Sequence, residues 1–256
     1  MRGFIPPQTQ DETVFCKRVV ALCEKAEKLG IKTFSTFLDL RQKDLFTSQF
    51  NKFQNLSLEF YSGHEADGER CIACVYPSYE TVQAYDYPLS VLYSKIYGED
   101  NLTHRDFLGA LMNLMIKRDF IGDILVSNDD VYIICHNNMA QLIMQDLTQV
   151  AHSNVKLEYY YDKVTYARLP QAEKNVTVAS LRLDGVVSAV LNISRSDACA
   201  IIKQGNVSIN HLMSKQTDFE IIDGDVLSIR KYGKFKLTCD GSKSRKDRIF
   251  IKYYKY

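Results

Sequence analysis

The order of hydrophobic periodicities between Leu89 and Tyr161 constrains this chain more than any other feature. Leu89 to Tyr97 alternates as a strand, and Thr103 to Arg118 has helical spacing with Thr103 as its N-cap. Asp123 to Ser127 and Val131 to His136 alternate again, Met139 to Val150 returns to a helix, and Val155 to Tyr161 closes as a strand.

Strand-helix-strand-strand-helix-strand is the split βαβ order of ferredoxin-like, RRM-like folds. The segment lacks the basic and aromatic RNA-contact motif of the common RNA-recognition module, so the order argues for a fold and not for a ligand. At 256 residues the chain exceeds the roughly 100–150 residues of a typical domain and should divide into two or three units. Before the middle domain, Phe15, Val19, Leu22, Cys23 and Ala26 mark a helix over 12–29 that Gly30 stops. A second helix is expected from Ser35 to Phe46, followed by strands Leu56 to Tyr61 and Arg70 to Tyr76 around a Gly-rich turn. The expected class is α+β: an N-terminal α/β unit over 1–87, the βαββαβ domain over 88–165, a linker over 166–179 containing Pro170, and a C-terminal unit over 180–256.

Charge separates these parts. From Ser180 to Tyr256 there are 14 Lys and Arg against 8 Asp and Glu, or +6; the other 179 residues carry 18 against 23, or −5. From Ser228 onward the count is 10 against 2, a density suited to a polyanion. Lys234-Phe235-Lys236-Leu237 and Ile249-Phe250-Ile251-Lys252-Tyr253 alternate, which builds strands with one dry and one basic face and argues against a mere solvated tail. No apolar run approaches the roughly 18 residues of a membrane helix, and the opening Met1 to Pro7 has no signal-like core, so a cytoplasmic protein without a membrane span is expected. Seven scattered Cys fit a reducing compartment. Cys71 and Cys74 resemble half a zinc site, but three residues apart on a strand they point to opposite faces, and neither metal nor cofactor is expected.

In the basic region, Leu183, Val186, Val187, Val190 and Leu191 form one apolar stripe, with Ser194 capping a second short helix that buries Ala198, Ile201 and Ile202 and stops at Gly205. Asn206 to Asn210 and Val226 to Arg230 then alternate as strands, with a turn at Asp223-Gly224-Asp225. Arg182-Leu183-Asp184, Ser194-Arg195-Ser196, Ile202 through Asn210 and Gly224-Asp225-Val226 together resemble the S-four RNA-binding domain of ribosomal proteins, the αL type. That resemblance implies RNA contacts from Arg182, Ser194, Arg195, Ser196, Lys203 and Asn210. Arg pairs bidentately with phosphate, and a helix N-terminus favours phosphate oxygens, although the same serines also serve as caps. Asn206, Lys215, Arg230, Lys231, Lys234 and Lys236, from the same module and its basic strands, complete the candidate RNA-binding set. His211 stands where that domain family usually has Gly.

His104 through Met112, Ile121 through Ile124, Phe235 through Leu237 and the basic Ser242 to Arg248 extend the resemblance to the YlmH family of Gram-positive bacteria and plastids. Between Ser62 and Cys71 the chain departs from that family's Gly-Gly-Tyr-type turn. That resemblance implies partners in structured RNA, rRNA or tRNA, and in the large ribosomal subunit, in stalled complexes carrying peptidyl-tRNA, with an older link to cell division. No catalytic residue is expected. His104-Arg105-Asp106 echoes a kinase loop but has Leu111 where that motif needs Asn, so a helix start is the simpler account. Arg182-Leu183-Asp184-Gly185 resembles a pseudouridine-synthase stretch with too little chain after it for a catalytic domain. An RNA-modifying enzyme and a division-site scaffold with a membrane-binding basic tail are the alternatives.

Overall fold

The computed structural model describes residues 6–64, 68–96, 102–127, 129–164, 173–210 and 212–255. The middle of the Gly-rich turn, Tyr97, the first half of the expected linker and His211 lie outside them. The chain divides into two compact units, Met1–Tyr166 and Ala167–Tyr256. Among the described residues no single helix is long and apolar enough to cross a membrane.

In the first unit, α1 (Gln10–Leu29) begins at Thr9, whose hydroxyl accepts from the Glu12 N–H, and ends at Gly30 in the left-handed conformation. β1 (Thr33–Leu38) replaces the first residues of the helix expected from Ser35. The helix starts later, as α2 (Leu40–Phe50), because Asp39 and Gln42 form a reciprocal capping box at its head. β2 (Leu56–Tyr61) and β3 (Cys71–Pro77) complete an antiparallel sheet of order β1-β3-β2. The sequence then gives β4 (Leu89–Lys95), α3 (His104–Asn113), β5 (Ile121–Val126), β6 (Asp130–His136), α4 (Asn137–Asp146), a short hairpin of β7 (Gln149–Val150) and β8 (Ser153–Asn154), and β9 (Glu158–Tyr160). The four longer-range strands form an antiparallel sheet of order β5-β6-β4-β9. Thr103 and Asp106 cap α3 reciprocally, as a helix start requires. Both helices stop short of the expected ends: Met115 takes φ 58°, and the expected last residue Val150 lies in the hairpin.

These pieces stack in four layers. α1 and α2 cover one face of the first sheet through Val19, Cys23, Ala26, Phe46 and Val75. Its other face, with Phe37, Ile72, Cys74 and Tyr76, meets Leu125, Ile134, Val91, Tyr132 and Tyr160 of the second sheet. α3 and α4 cover that sheet's far side through Phe107, Leu111, Ala140 and Ile143 against Leu92, Ile133 and Cys135. β3, buried along its whole length, is the shared middle; Cys71 faces the helices and Cys74 the second sheet, as the strand period dictates. The sheets approach so closely that a Cβ on Gly122 would sit 2.6 Å from Phe37 Cε1.

A buried arginine laces the layers together. Arg70 donates from Nε to Ile121 O (2.9 Å) and from Nη2 to Phe37 O (2.9 Å) and Arg118 O (3.3 Å). Asp123 accepts from the Arg70 and Glu69 N–H groups and bonds His64 Nε2 at 2.9 Å, which pins both flanks of the turn to β5.

The segment expected to be a linker ends in a strand. β10 (Lys174–Val178) pairs with β15 (Ile249–Lys255), with Val176 opposite Ile251. The alternation Asn175-Val176-Thr177-Val178 is that of a half-buried edge strand, masked in sequence by its polar partners. α5 (Leu183–Leu191), α6 (Arg195–Lys203), β11 (Val207–Ile209), β12 (Leu212–Met213), β13 (Val226–Ile229) and β14 (Gly233–Thr238) complete the second unit. Its sheet has order β10-β15-β14-β13-β11-β12, and α5 and α6 pack on one face through Val186, Val187, Val190, Ala198 and Ile202.

Arg70→Ala should destabilise the first unit by about 3 kcal/mol, because three carbonyls lose a charged donor and a buried volume empties. Urea unfolding followed by tyrosine fluorescence checks this, and a midpoint equal to the parent's would show that the lacing contributes nothing.

Candidate nucleic-acid interface

The chain turns through 114° between α5 and α6. Asn192 makes the turn at φ 54°, donating its N–H to Ser188 O, and Ser194 caps α6 immediately afterwards. This brings Arg182, the N-cap residue of α5, and Arg195, the first residue of α6, to one carboxylate.

That carboxylate is Asp184. It accepts from Arg195 Nε (3.1 Å) and Nη2 (3.0 Å), from Arg182 Nε and Nη2 (both 3.3 Å), and from the Gly185 N–H (2.8 Å). Its side chain is 5% exposed, whereas those of Arg182 and Arg195 are 44% and 58% exposed. The carboxylate is therefore an internal anchor, and the guanidinium groups are what solvent meets. Burial pushes the Asp184 carboxyl up, but the hydrogen bonds from Arg182 and Arg195 outweigh it and hold the group below the ordinary carboxylate value. Sequence analysis placed Asp184 only within the Arg-Leu-Asp motif; an acid on an otherwise apolar helix, two residues after an Arg, was the signal for its role.

The remaining candidates do not share one surface. Ser194 Oγ accepts from the Asp197 N–H at 3.1 Å, lies 2.6 Å from Asp197 Oδ2 and 2.7 Å from Ser196 Oγ. The two serines thus form a cap beside an acidic side chain. The first N–H groups of α5 are also taken, Leu183 by Phe219 O and Asp184 by Thr217 O. The exposed cations of this face are the arginines, while these helix-start N–H groups are already paired.

Lys203 ends α6, exposed, and the Lys215 side chain passes beside Gly205, its Cε 3.5 Å from where a Cβ there would stand. Asn206 donates to Gln204 Oε1, and its carbonyl accepts from the Arg230 N–H. Asn210 holds a turn: at φ 47° it donates to Asp225 Oδ1 (2.8 Å) and accepts from the Val226 N–H (2.9 Å). Its amide is consumed by the fold. Arg230 and Lys231 are exposed at the β13–β14 turn. Lys234 and Lys236 alternate with buried Phe235 and Leu237, which pack beneath the helices, so the lysines project from the opposite side of the sheet.

In the first unit, the face of the four-stranded sheet that an RNA-recognition module would present is largely occupied by the other sheet, and Tyr93, Tyr132 and Tyr160 there pack on one another at 5.0–5.6 Å between ring centroids. Among the described residues no cluster of His, Cys, Asp and Glu could hold a metal ion. Cys71 and Cys74 lie buried, their thiols pushed up by burial to about 11 and about 12.

Asp184→Asn should cost the second unit about 1–3 kcal/mol at neutral pH, the range for charge-assisted bonds. The folded-state value lies below the unfolded one, so the parent's stabilisation is complete above about 3.9, the ordinary Asp value, and is lost as pH falls through the folded value. Thermal melts from neutral to acid pH should show this acid loss in the parent and its reduction in Asp184→Asn; parallel profiles would refute the anchor.

Residues 86–163 match a family model described as "Putative RNA-binding domain in YlmH". The chain is 29% identical over 243 residues to the "Ribosome-associated protein quality control protein P2" of Bacillus subtilis, covering 93% of this chain and 90% of that protein. It also shares its fold with the structure of "Cell division protein ylmH from Streptococcus pneumoniae", at 22% identity and a TM-score of 0.52, over 62% of this chain and 96% of that one. Its middle segment is thus similar to the family's own model, and almost its entire length is similar to the Bacillus protein.

Proposed function

We propose that this protein is a non-catalytic RNA-binding factor that docks folded rRNA or tRNA on the α5–α6 face and acts at the ribosome, on the large subunit, in the quality control of stalled complexes carrying peptidyl-tRNA. One observation carries the proposal. Two outward guanidinium groups are fixed by a single buried carboxylate, a preorganised site for phosphate oxygens that loses little side-chain entropy on binding.

The surroundings agree with it. The second unit holds the chain's positive excess, the two helices cross near the right angle of a helix-turn-helix pair, and their sequence resembles the S-four domain. The order β5-β6-β4-β9, read along the chain as second, third, first and fourth strands, supports a ferredoxin-like middle domain. The names of the Bacillus protein and of the family model support a ribosomal setting and RNA as the ligand. Against the pseudouridine-synthase alternative stands the burial of Asp184, since a catalytic carboxylate must reach its substrate and this one is enclosed by two arginines.

Arg195→Ala and Arg182→Ala should each weaken binding of structured RNA by about 1–3 kcal/mol without unfolding the unit. Fluorescence anisotropy with labelled tRNA and an rRNA stem-loop measures it, and sedimentation of the full chain with large subunits should lose the protein in the same variants. Parent-like affinity in both would eliminate the helix face as the docking site.

A further inference from the structure

A second feature of the C-terminal unit lies beside this face. Between the edge strand β10 and helix α5 is a cavity of about 440 Å³, within the size range of small-molecule sites. Its wall on the strand side is Thr177 and Ser180, its helix side Gly185, Ala189 and Asn192, and Arg195 and Arg248 both line it. Among the described residues no acidic side chain lines it.

The two arginines are held from different directions. Arg195 is gripped by Asp184 at the head of α6. Arg248 comes from the basic connection between β14 and β15, where the Ser244 N–H donates to the Arg248 carbonyl (2.7 Å) and the Ser244 hydroxyl accepts from the Arg248 N–H (3.2 Å), closing a tight turn. Its guanidinium then crosses to β10, donating from Nη2 to Thr177 O (2.6 Å) and from Nε to Thr177 Oγ1 (3.1 Å). Sequence analysis placed Arg248 only in a basic run, and the fold sets it against the strand expected to be a linker.

A cavity with two anchored cations, hydroxyl and amide groups and no carboxylate among its described lining residues suits an anion, and its volume exceeds what a bare phosphate would fill. We infer that this cavity takes one nucleotide of the RNA docked on the helix pair, its phosphate held between Arg195 and Arg248. The inference rests on the RNA-binding proposal above, because Arg195 belongs to both sites and would carry the RNA backbone from the α5–α6 face into the cavity. Arg248 and the cavity walls are then contacts that the S-four resemblance does not supply.

The test uses the full chain with labelled tRNA and an rRNA stem-loop, titrated across a salt series, and with adenosine monophosphate and inorganic phosphate as separate competitors. Arg248→Ala should weaken RNA binding on the order of tenfold and lower the slope of log affinity against log salt by about 0.7–0.9, the loss of one phosphate contact. Ala179→Phe, on the exposed rim, should obstruct the cavity and weaken binding with the slope unchanged. If Arg195→Ala weakens binding while Arg248→Ala and Ala179→Phe both match the parent, the cavity inference fails and the helix-face proposal stands. If all three match the parent, both fail. Displacement of RNA by micromolar adenosine monophosphate or phosphate would make the cavity a site for a free small anion and overturn the inference.

Discussion

Two sheets bury one face of each against the other, and most of the N-terminal unit follows from that burial. Neither sheet could be stable alone with Phe37, Ile72, Cys74, Leu125 and Ile134 in water, since full burial of each large side chain is worth roughly 1.5–3 kcal/mol. Once the sheets are paired, their outer faces must be covered, and the amphipathic helices α1, α2, α3 and α4 supply the cover. Close approach then demands Gly122, where any side chain would collide with Phe37. The cost falls on backbone groups at the edges of the stack, and Arg70 meets it with three donor contacts to carbonyls from β1, from Arg118 just before β5 and from the start of β5. The same burial has a functional consequence. The sheet surface through which RNA-recognition modules stack bases is here an interior, so the domain can have the strand order of such modules without their mode of binding.

In the C-terminal unit a charge plays the organising part that apolar area plays in the first. Two arginines at the heads of two helices would repel one another in the absence of Asp184, and a lone buried Asp184 would be costly to desolvate. Together they leave one net positive charge at the surface, rigidly presented. Side chains held this way lose little freedom when an anion meets them.

How much of this was legible depended on whether the partner of a residue was a neighbour in sequence. The helix over Leu183 to Leu191 was visible in its apolar stripe, and Thr103 with Asp106 announced a helix start, because both signals are local. Ser35 to Leu38 was read as helix because the capping box that starts α2 lies after it, at Asp39, while the strand partners that claim Phe37 and Leu38 are more than thirty residues away. β10 was taken for linker for the same reason: its apolar face exists only opposite Ile249 and Ile251, some seventy residues on. Arg70 gave no signal, since its partners are backbone carbonyls, which every residue has. Among the candidate contacts, Arg182 and Arg195 do come together, while Asn210 proved to be the joint of a turn, with its polar atoms spent on Asp225 and Val226.

The same alternation that was read correctly at Lys234 to Leu237 also divides the basic charge of the unit. A strand that buries Phe235 and Leu237 under the helices must aim Lys234 and Lys236 away from them, and Lys252 on β15 follows, opposite Thr238. The lysines therefore stand on the side of the sheet away from Arg182 and Arg195. A basic count taken along the sequence treats all of them as one footprint; the fold makes them two, and on the helix side Arg182 and Arg195 are fixed by Asp184.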